Sequence, residues 1–346
     1  MAADTLWQTI TAELTREISR RRFKPGERFY TLKELSARFR ISEITCRRVM
    51  HELENRTLIE RIQGKGTFVR RTAIGRDLKL LLHPQLAQSG FSHLYLVQEL
   101  LQGMHAAARA AECRVQMVST EHFADHVQAG DLVVTLWHSR HAEALRIAVE
   151  HGAHVACTHA PEPVPGINTV RPDFAAGTAI ATRHLLAKGH QRIAYVTGAV
   201  SNLWFTARFD GYYRTLREAG LPFDLALVRE TLAEDGSDVA PAVADLLALP
   251  DPPTAVVCAN DARALAVMRA CRERDVRIPG DLAVVGFDNT HDSALATPGL
   301  TTIDQFWQRQ GSEAVALLLR LAENDAGPRQ NEDLVLTPEL VLRAST

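Results

Sequence analysis

Residues 31–69 constrain the fold of this chain more than any other stretch. They run Thr31-Leu-Lys-Glu-Leu-Ser-Ala-Arg-Phe, then Ile41-Ser-Glu-Ile-Thr-Cys-Arg-Arg-Val, then Gln63-Gly-Lys-Gly-Thr-Phe-Val69. Thr31 lies three residues before Glu34, a capping-box spacing that starts a helix reaching about Arg38. Ser42 opens a further helix, with Ile44, Val49 and Leu53 expected to face inward and Glu43, Thr45, Arg47 and Arg48 on or beside the outward face. Leu58-Ile-Glu-Arg-Ile and Thr67-Phe-Val-Arg-Arg alternate as two short strands around Gln63-Gly-Lys-Gly66, whose glycines permit positive φ at the tip. Upstream, Leu6, Ile10, Leu14 and Ile18 form the apolar stripe of a first helix, ending near Arg21-Arg22 and closed by the turn Lys24-Pro25-Gly26. Three helices and a basic-tipped hairpin in this order predict a winged helix-turn-helix, with double-stranded DNA as partner.

That motif ranks the candidate DNA contacts. The recognition helix meets bases with its N-terminal part, so Ser42, Glu43, Thr45, Arg47 and Arg48 are expected there, with Thr31 and Lys33 at the preceding helix. Gln63, Gly64 and Lys65 at the hairpin tip are expected beside phosphate or in the minor groove. Charge agrees: residues 1–72 carry 16 Lys and Arg against 9 Asp and Glu, a net +7, leaving 23 against 32 in the remainder, a net −9. A basic head on an acidic body suits a polyanion-binding module carried by something that does not itself bind DNA.

With 346 residues, 46% apolar and 23% charged, the chain has the length of two or three domains and an ordinary globular composition. It has no apolar run of 18 residues, and its N-terminal Met1-Ala-Ala-Asp-Thr-Leu-Trp is no signal peptide. A cytoplasmic protein without membrane association is therefore expected. Five scattered cysteines (Cys46, Cys113, Cys157, Cys258, Cys271) without a C-x-x-C pair read as reduced thiols.

Beyond residue 77, apolar runs alternate with helical patterns, from Leu78–Leu82 and helix 94–111 to helix 261–274 and Ala283–Phe287. Continuous apolar strands alternating with helices predict an α/β body of parallel sheets covered on both faces. Ligands bind such sheets beyond the carboxyl ends of the strands. The polar clusters His83-Pro-Gln, Trp137-His138, Asn202–Arg208, Asn260-Asp261 and Asp288-Asn289 fall at those ends.

Residues 5–70, with the wing Gln-Gly-Lys-Gly-Thr-Phe-Val, resemble the GntR family of bacterial transcription regulators. Where that family usually has Arg after the recognition-helix Ser, this chain has Glu43, and an operator unlike the family consensus is expected. From about Asp77 onward the chain is similar to the effector domain of LacI-type repressors. The resemblance rests on Leu185-Leu-Ala-Lys-Gly-His-Gln-Arg-Ile-Ala-Tyr-Val-Thr-Gly, Arg208-Phe-Asp-Gly-Tyr, Ala259-Asn-Asp-Ala, Ile278-Pro-Gly-Asp-Leu-Ala-Val-Val-Gly-Phe-Asp-Asn and Leu300-Thr-Thr-Ile-Asp-Gln. Head and body together resemble the AraR-type arrangement.

The resemblance implies a winged head at 1–72, a linker at 73–77 and a two-lobed, periplasmic-binding-protein-like body at 78–346. Lobe one is expected at about 78–172 plus 303–326, and lobe two at about 173–302 plus 327–346. It further implies Arg208, Asn260 and Asp288 as polar anchors of the interlobe cleft, with Asp173, Gln305 and Trp307 lining it. Trp204 stands where the family usually has a small hydroxyl residue, and its ring can stack on a sugar face. Glu234-Asp-Gly-Ser stands where relatives often carry a stacking aromatic.

Ten of the fourteen histidines fall between His83 and His159, including His122-x3-His126, His138-x2-His141 and His151-x2-His154. No cysteine or carboxylate cluster completes a metal site in sequence. Ser139 and Ser201 lack a nucleophile elbow, and the glycines make no phosphate loop. The expectation is a DNA-binding regulator, not an enzyme and without cofactor. It is read as a homodimeric repressor whose operator affinity follows a small effector, a carbohydrate, in the cleft. A purine-type co-repressor, a metal-sensing body, a transport receptor and an enzyme fusion are the competing readings.

Overall fold

The computed structural model describes residues 2–19, 23, 26–56, 58–70, 77–82, 91–120, 123–128, 130–136, 141–233, 236–323 and 331–346, with the backbone alone at 2–5, 19, 82, 91–94 and 124–125. Several expected features lie outside these residues: Lys24-Pro25, linker positions 73–76, the clusters at His83 and Trp137-His138, His122, and Glu234-Asp235.

The head consists of α1 (Ala2–Ser19), α2 (Leu32–Phe39), α3 (Glu43–Asn55), β1 (Ile59–Ile62) and β2 (Gly66–Val69). Thr31 and Glu34 cap α2 reciprocally, the Glu34 N–H donating to Thr31 Oγ1 and the Thr31 N–H to Glu34 Oε2. Ser42 Oγ accepts from the Thr45 N–H to open α3. Ile10, Leu14, Ile18, Phe29, Leu35, Cys46, Val49, Met50, Leu53, Ile59 and Val69 form one core. β1 and β2 are antiparallel, and residues 26–29 bond along β2 as an irregular third segment. Ile44 departs from expectation. Burial follows Cys46, Val49, Met50 and Leu53, whereas Ile44 precedes Cys46 by two residues, about 200° round the helix, and is 81% exposed.

The body follows as β3 (Asp77–Leu82), α4 (Phe91–Ala110), β4 (Arg114–Ser119), α5 (Phe123–His126), β5 (Leu132–Leu136), α6 (Ala142–Glu150), β6 (His154–Thr158) and β7 (Asn168–Pro172). It continues through α7 (Phe174–Ala187), β8 (Ile193–Thr197), α8 (Leu203–Glu218), β9 (Val228–Glu230), α9 (Val239–Leu247), β10 (Ala255–Cys258), α10 (Asp261–Arg272) and β11 (Ala283–Val285). It closes with α11 (His291–Leu295), β12 (Thr302–Asp304), α12 (Trp307–Glu323), β13 (Asp333–Leu336) and β14 (Glu339–Val341).

One parallel sheet has the order β13-β7-β6-β5-β3-β4, the other β11-β10-β8-β9, with the β12–β14 pair attached through a Val285–Thr301 bridge. Strands β5, β6, β8 and β10 are buried along their whole length, as sheets sandwiched by helices require. The chain passes between lobes after β7, after β12 and between β13 and β14. The expected lobe limits therefore need one correction. Residues 333–336, expected in lobe two, extend the first sheet, because Asp333 accepts the Arg171 guanidinium (Nη2–Oδ2 2.7 Å) and Leu336 enters the lobe-one core. Only β14 and the tail return to the second lobe.

Helix α12 lies along α4 so closely that glycine is required at the crossing. A Cβ on Gly103 would sit 1.8 Å from the Gln308 carbonyl oxygen, and one on Gly311 would sit 2.2 Å from that of Leu100. Among the described residues no helix is long and apolar enough to cross a membrane.

Candidate functional site

Two surfaces gather the residues singled out by sequence. On the head, Glu43, Arg47 and Arg48 are exposed along α3, and Gln63, Gly64 and Lys65 are exposed at the β1–β2 turn, where Gly64 adopts φ +73°. Arg47 donates to Glu43 Oε1 through Nη2 (2.7 Å) and Nε (3.2 Å), fixing one guanidinium edge. Arg48 lies over the Trp7 ring at 4.4 Å. Thr31, Ser42 and Thr45 belong to the caps, Ser42 Oγ and Thr45 Oγ1 lying 2.9 Å apart, and Lys33 is exposed. The N-terminal ends of α2 and α3, with their positive dipole ends, carry the exposed Lys33, Ser42 and Glu43.

In the body, the carboxyl ends of β8, β10 and β11 open toward lobe one, and the helices that follow begin there. Arg208, one turn into α8 and 4% exposed, donates through Nη1 to the Ala259 carbonyl (2.6 Å) and through Nη2 to Asp288 Oδ1 (3.4 Å). Its guanidinium lies 4.2 Å from the centroid of Phe287 and 5.1 Å from that of Phe174. Gln305 Nε2 donates to the same Asp288 oxygen at 2.6 Å, and Gln310 Nε2 holds the Gln305 carbonyl at 2.9 Å. Arg208 Nε, Gln305 Oε1, Gln310 Oε1 and Trp307 Nε1 are buried without a protein partner. Buried polar atoms without partners are rare, and four on neighbouring residues suit a polar ligand.

The lobes touch through aromatic groups. Trp204, on the first turn of α8, donates its indole N–H to the His159 carbonyl at the end of β6 (2.8 Å), a hydrogen bond from lobe two to lobe one. The His159 ring lies 4.3 Å from Trp307 and meets Phe174 edge-on at 4.9 Å. His159, Asp288, Asn289 and Phe306 all hold positive φ (57°, 124°, 52° and 57°), a concentration of backbone strain of the kind kept at binding sites.

Burial governs the charges. It pushes the Asp288 carboxyl up to about 7, with Arg208 opposing and Asp261 reinforcing the rise. The same burial lowers Arg208. Asp261, fully buried, is raised to about 6 by desolvation, while Thr302 and Thr290 oppose the shift by donating to it. Asp261 accepts from the Thr302 hydroxyl (2.5 Å), the Thr290 N–H (2.8 Å) and the Thr290 hydroxyl (3.0 Å), fixing the loop that carries Asp288.

Arg208, Asp288 and Gln305 are thus one hydrogen-bonded cluster, with Trp204 and Trp307 joined to each other through His159. Asn260 caps α10 by accepting from the Arg263 N–H (3.0 Å), beside the Ala259 carbonyl that holds Arg208. Asp173 caps α7 by accepting from the Ala176 N–H (2.9 Å), next to Phe174. Sequence reasoning missed His159, Phe174 and Phe287, and placed Asp261 at a strand end without giving it a role. The strand-end rule points to His159, directly after β6, whereas the two phenylalanines read as core. A groove of about 620 Å³ lies elsewhere in lobe two, between α10 and α11, and includes none of these residues. No cluster of three or more metal-ligating side chains occurs among the described residues.

Residues 6–69 match the family of bacterial regulatory proteins called gntR, and residues 182–346 match the periplasmic binding protein-like domain. The HTH-type transcriptional repressor PurR of Haemophilus influenzae is 35% identical over 172 residues, 49% of this chain and 50% of that protein. PurR of Mannheimia succiniciproducens is 35% identical over 184 residues, 52% and 53% of the two chains. The chain thus spans about half the length of the curated relatives it matches. Among solved structures, a LacI family transcriptional regulator from Mycobacterium smegmatis is 27% identical with a TM-score of 0.61, covering 78% of this chain and 98% of its own. The regulator CelR in complex with cellobiose shares the fold at 22% identity and a TM-score of 0.66, covering 92% of this chain and all of its own.

Proposed function

We propose that this chain, a gntR-family head joined to a periplasmic binding protein-like body, is a transcriptional repressor in the cytoplasm that binds operator DNA and senses a small carbohydrate between its lobes. The observation that carries the reading is the Arg208–Asp288–Gln305 cluster with its unpartnered polar atoms, sited at the strand ends and attached to a head with a basic wing. A guanidinium fork and a carboxylate suit paired hydroxyls, which donate and accept at once. The Trp204 and Trp307 rings supply flat apolar surface for the faces of a sugar. The similarity of the body to named repressors, and the LacI-family neighbour, support the same reading.

A homodimer is the proposed assembly, presenting two heads to two half-sites. Leu295, 67% exposed, stands beside the α10–α11 groove of lobe two, whose rim carries Arg269, Arg272, Asp275 and Asp292. A two-fold axis there would set the arginines of one copy against the aspartates of the other.

A second reading has one observation in its favour. The closely packed His159, Trp307 and Phe174 rings form an aromatic patch on which a planar base could stack, as a purine co-repressor requires. Thermal unfolding against pentoses, hexoses, disaccharides, sugar phosphates, nucleosides and purines separates the two. A true ligand at about a hundred times its dissociation constant stabilises by about 2.7 kcal/mol. A shift with one sugar class, abolished by Arg208→Ala, is expected. A shift with purines alone would replace the carbohydrate reading with the co-repressor one.

A further inference from the structure

Ile44 is the most outward residue at the start of α3. It is 81% exposed, while Cys46, Val49, Met50 and Leu53 hold the opposite side of the helix in the core. A large aliphatic group in water at the tip of a helix has no stabilising role in the isolated head, and removing it costs the fold nothing. Its neighbours are polar and organised: Glu43 precedes it, and Arg47, three residues on, is tied to Glu43 by two hydrogen bonds. The Ser42 cap fixes the helix end from which all three project.

In a major groove the only exposed apolar group on a base edge is the 5-methyl of thymine, while guanine O6 and N7 take an arginine fork. We infer that Ile44 is a base-reading residue that packs on a thymine methyl group, one step along the groove from a base met by the Glu43-oriented Arg47. Glu43 keeps Arg47 from swinging to phosphate, because the fork leaves the helix already held on one edge. The chemistry requires a thymine in each half-site at the position facing the first turn of α3. This inference rests on the DNA-binding reading above and adds a residue that apolar patterning assigns to the core.

Replacing thymine by uracil deletes that methyl and leaves base pairing unchanged, so the contact can be tested atom by atom. The full chain is first used to select duplexes from a random library. Each thymine of the recovered half-site is then replaced by uracil, and affinity is measured for the native chain and for Ile44→Ala. Uracil at one thymine of a single half-site is expected to weaken the native chain about fourfold, the worth of one buried methyl, and to leave Ile44→Ala unaffected. Uracil that weakens neither protein at any position, or both equally, overturns the assignment while leaving the DNA-binding reading intact. Failure to enrich any duplex removes that reading and the assignment with it. Because Ile44 is exposed, the variant's melting temperature should match that of the native chain, which separates lost contact from lost fold.

Discussion

On the proposed function, Asp288 sets how ligand binding responds to pH. Its carboxyl ordinarily titrates near 3.8, and burial holds it near 7 in the folded protein. The folded chain therefore keeps this proton more tightly than the unfolded chain between those values. For this group, stability is greatest below the window, falls as pH rises toward about 7, and is level beyond. Ligand binding has the opposite sign. A ligand that bonds the carboxylate must displace the proton, so affinity rises by up to about tenfold per pH unit below 7 and then levels. Asp288→Asn is expected to flatten the unfolding profile between pH 6 and 7, leaving the part below pH 6 that belongs to Asp261; an unchanged slope would remove Asp288 from this role. Trp204 makes a second prediction at this scale. Trp204→Phe keeps an aromatic ring, though a smaller one, and deletes the hydrogen bond to the His159 carbonyl, worth about 1 kcal/mol. If the ligand-bound state joins the lobes more firmly than the free one, calorimetric titration should show ligand affinity up to about fivefold weaker.

Gly103 and Gly311 exist because α4 and α12 approach to backbone contact. Gly311→Ala should force the helices apart and cost about 1–3 kcal/mol, read as a lower urea midpoint with unchanged slope. Much of the head is legible in the amino-acid order alone, since Thr31, Glu34, Ser42 and the glycines of the wing act on neighbours within four residues. The alternation of apolar runs and helices likewise discloses an α/β body. Legibility ends where partners lie far apart. Strands β9, β12, β13 and β14 are three or four residues long, too short for periodicity, and β13 finds its partner β7 only after the chain has crossed between lobes. In the cleft, Arg208, Asp288 and Gln305 are reached through family motifs, but nothing local links His159 to Trp204 or Trp307. Ile44 misleads because its side chain is apolar; the phase of α3 is set instead by Cys46 and Met50, weaker hydrophobes in its pattern.

At the scale of the whole molecule, a +7 head on a −9 remainder would, on the proposed function, concentrate attraction to DNA in the head and disfavour contact of the acidic body with the duplex. Two heads bind half-sites cooperatively only if the bodies pair. Leu295→Asp at the α10–α11 groove is expected to give monomers by sedimentation and to weaken binding to a two-half-site duplex far more than to a single half-site. A dimer unaffected by this change would move the interface elsewhere. The account stands on coupling between cleft and head, and coupling is measured directly. The affinity of the full chain for a selected duplex should be titrated with and without the compound that raises its melting temperature. The account predicts a shift of at least fivefold in DNA affinity, the duplex shifting ligand affinity by the same factor, and loss of the effect in Arg208→Ala. A compound that binds the cleft while DNA affinity stays constant would contradict it.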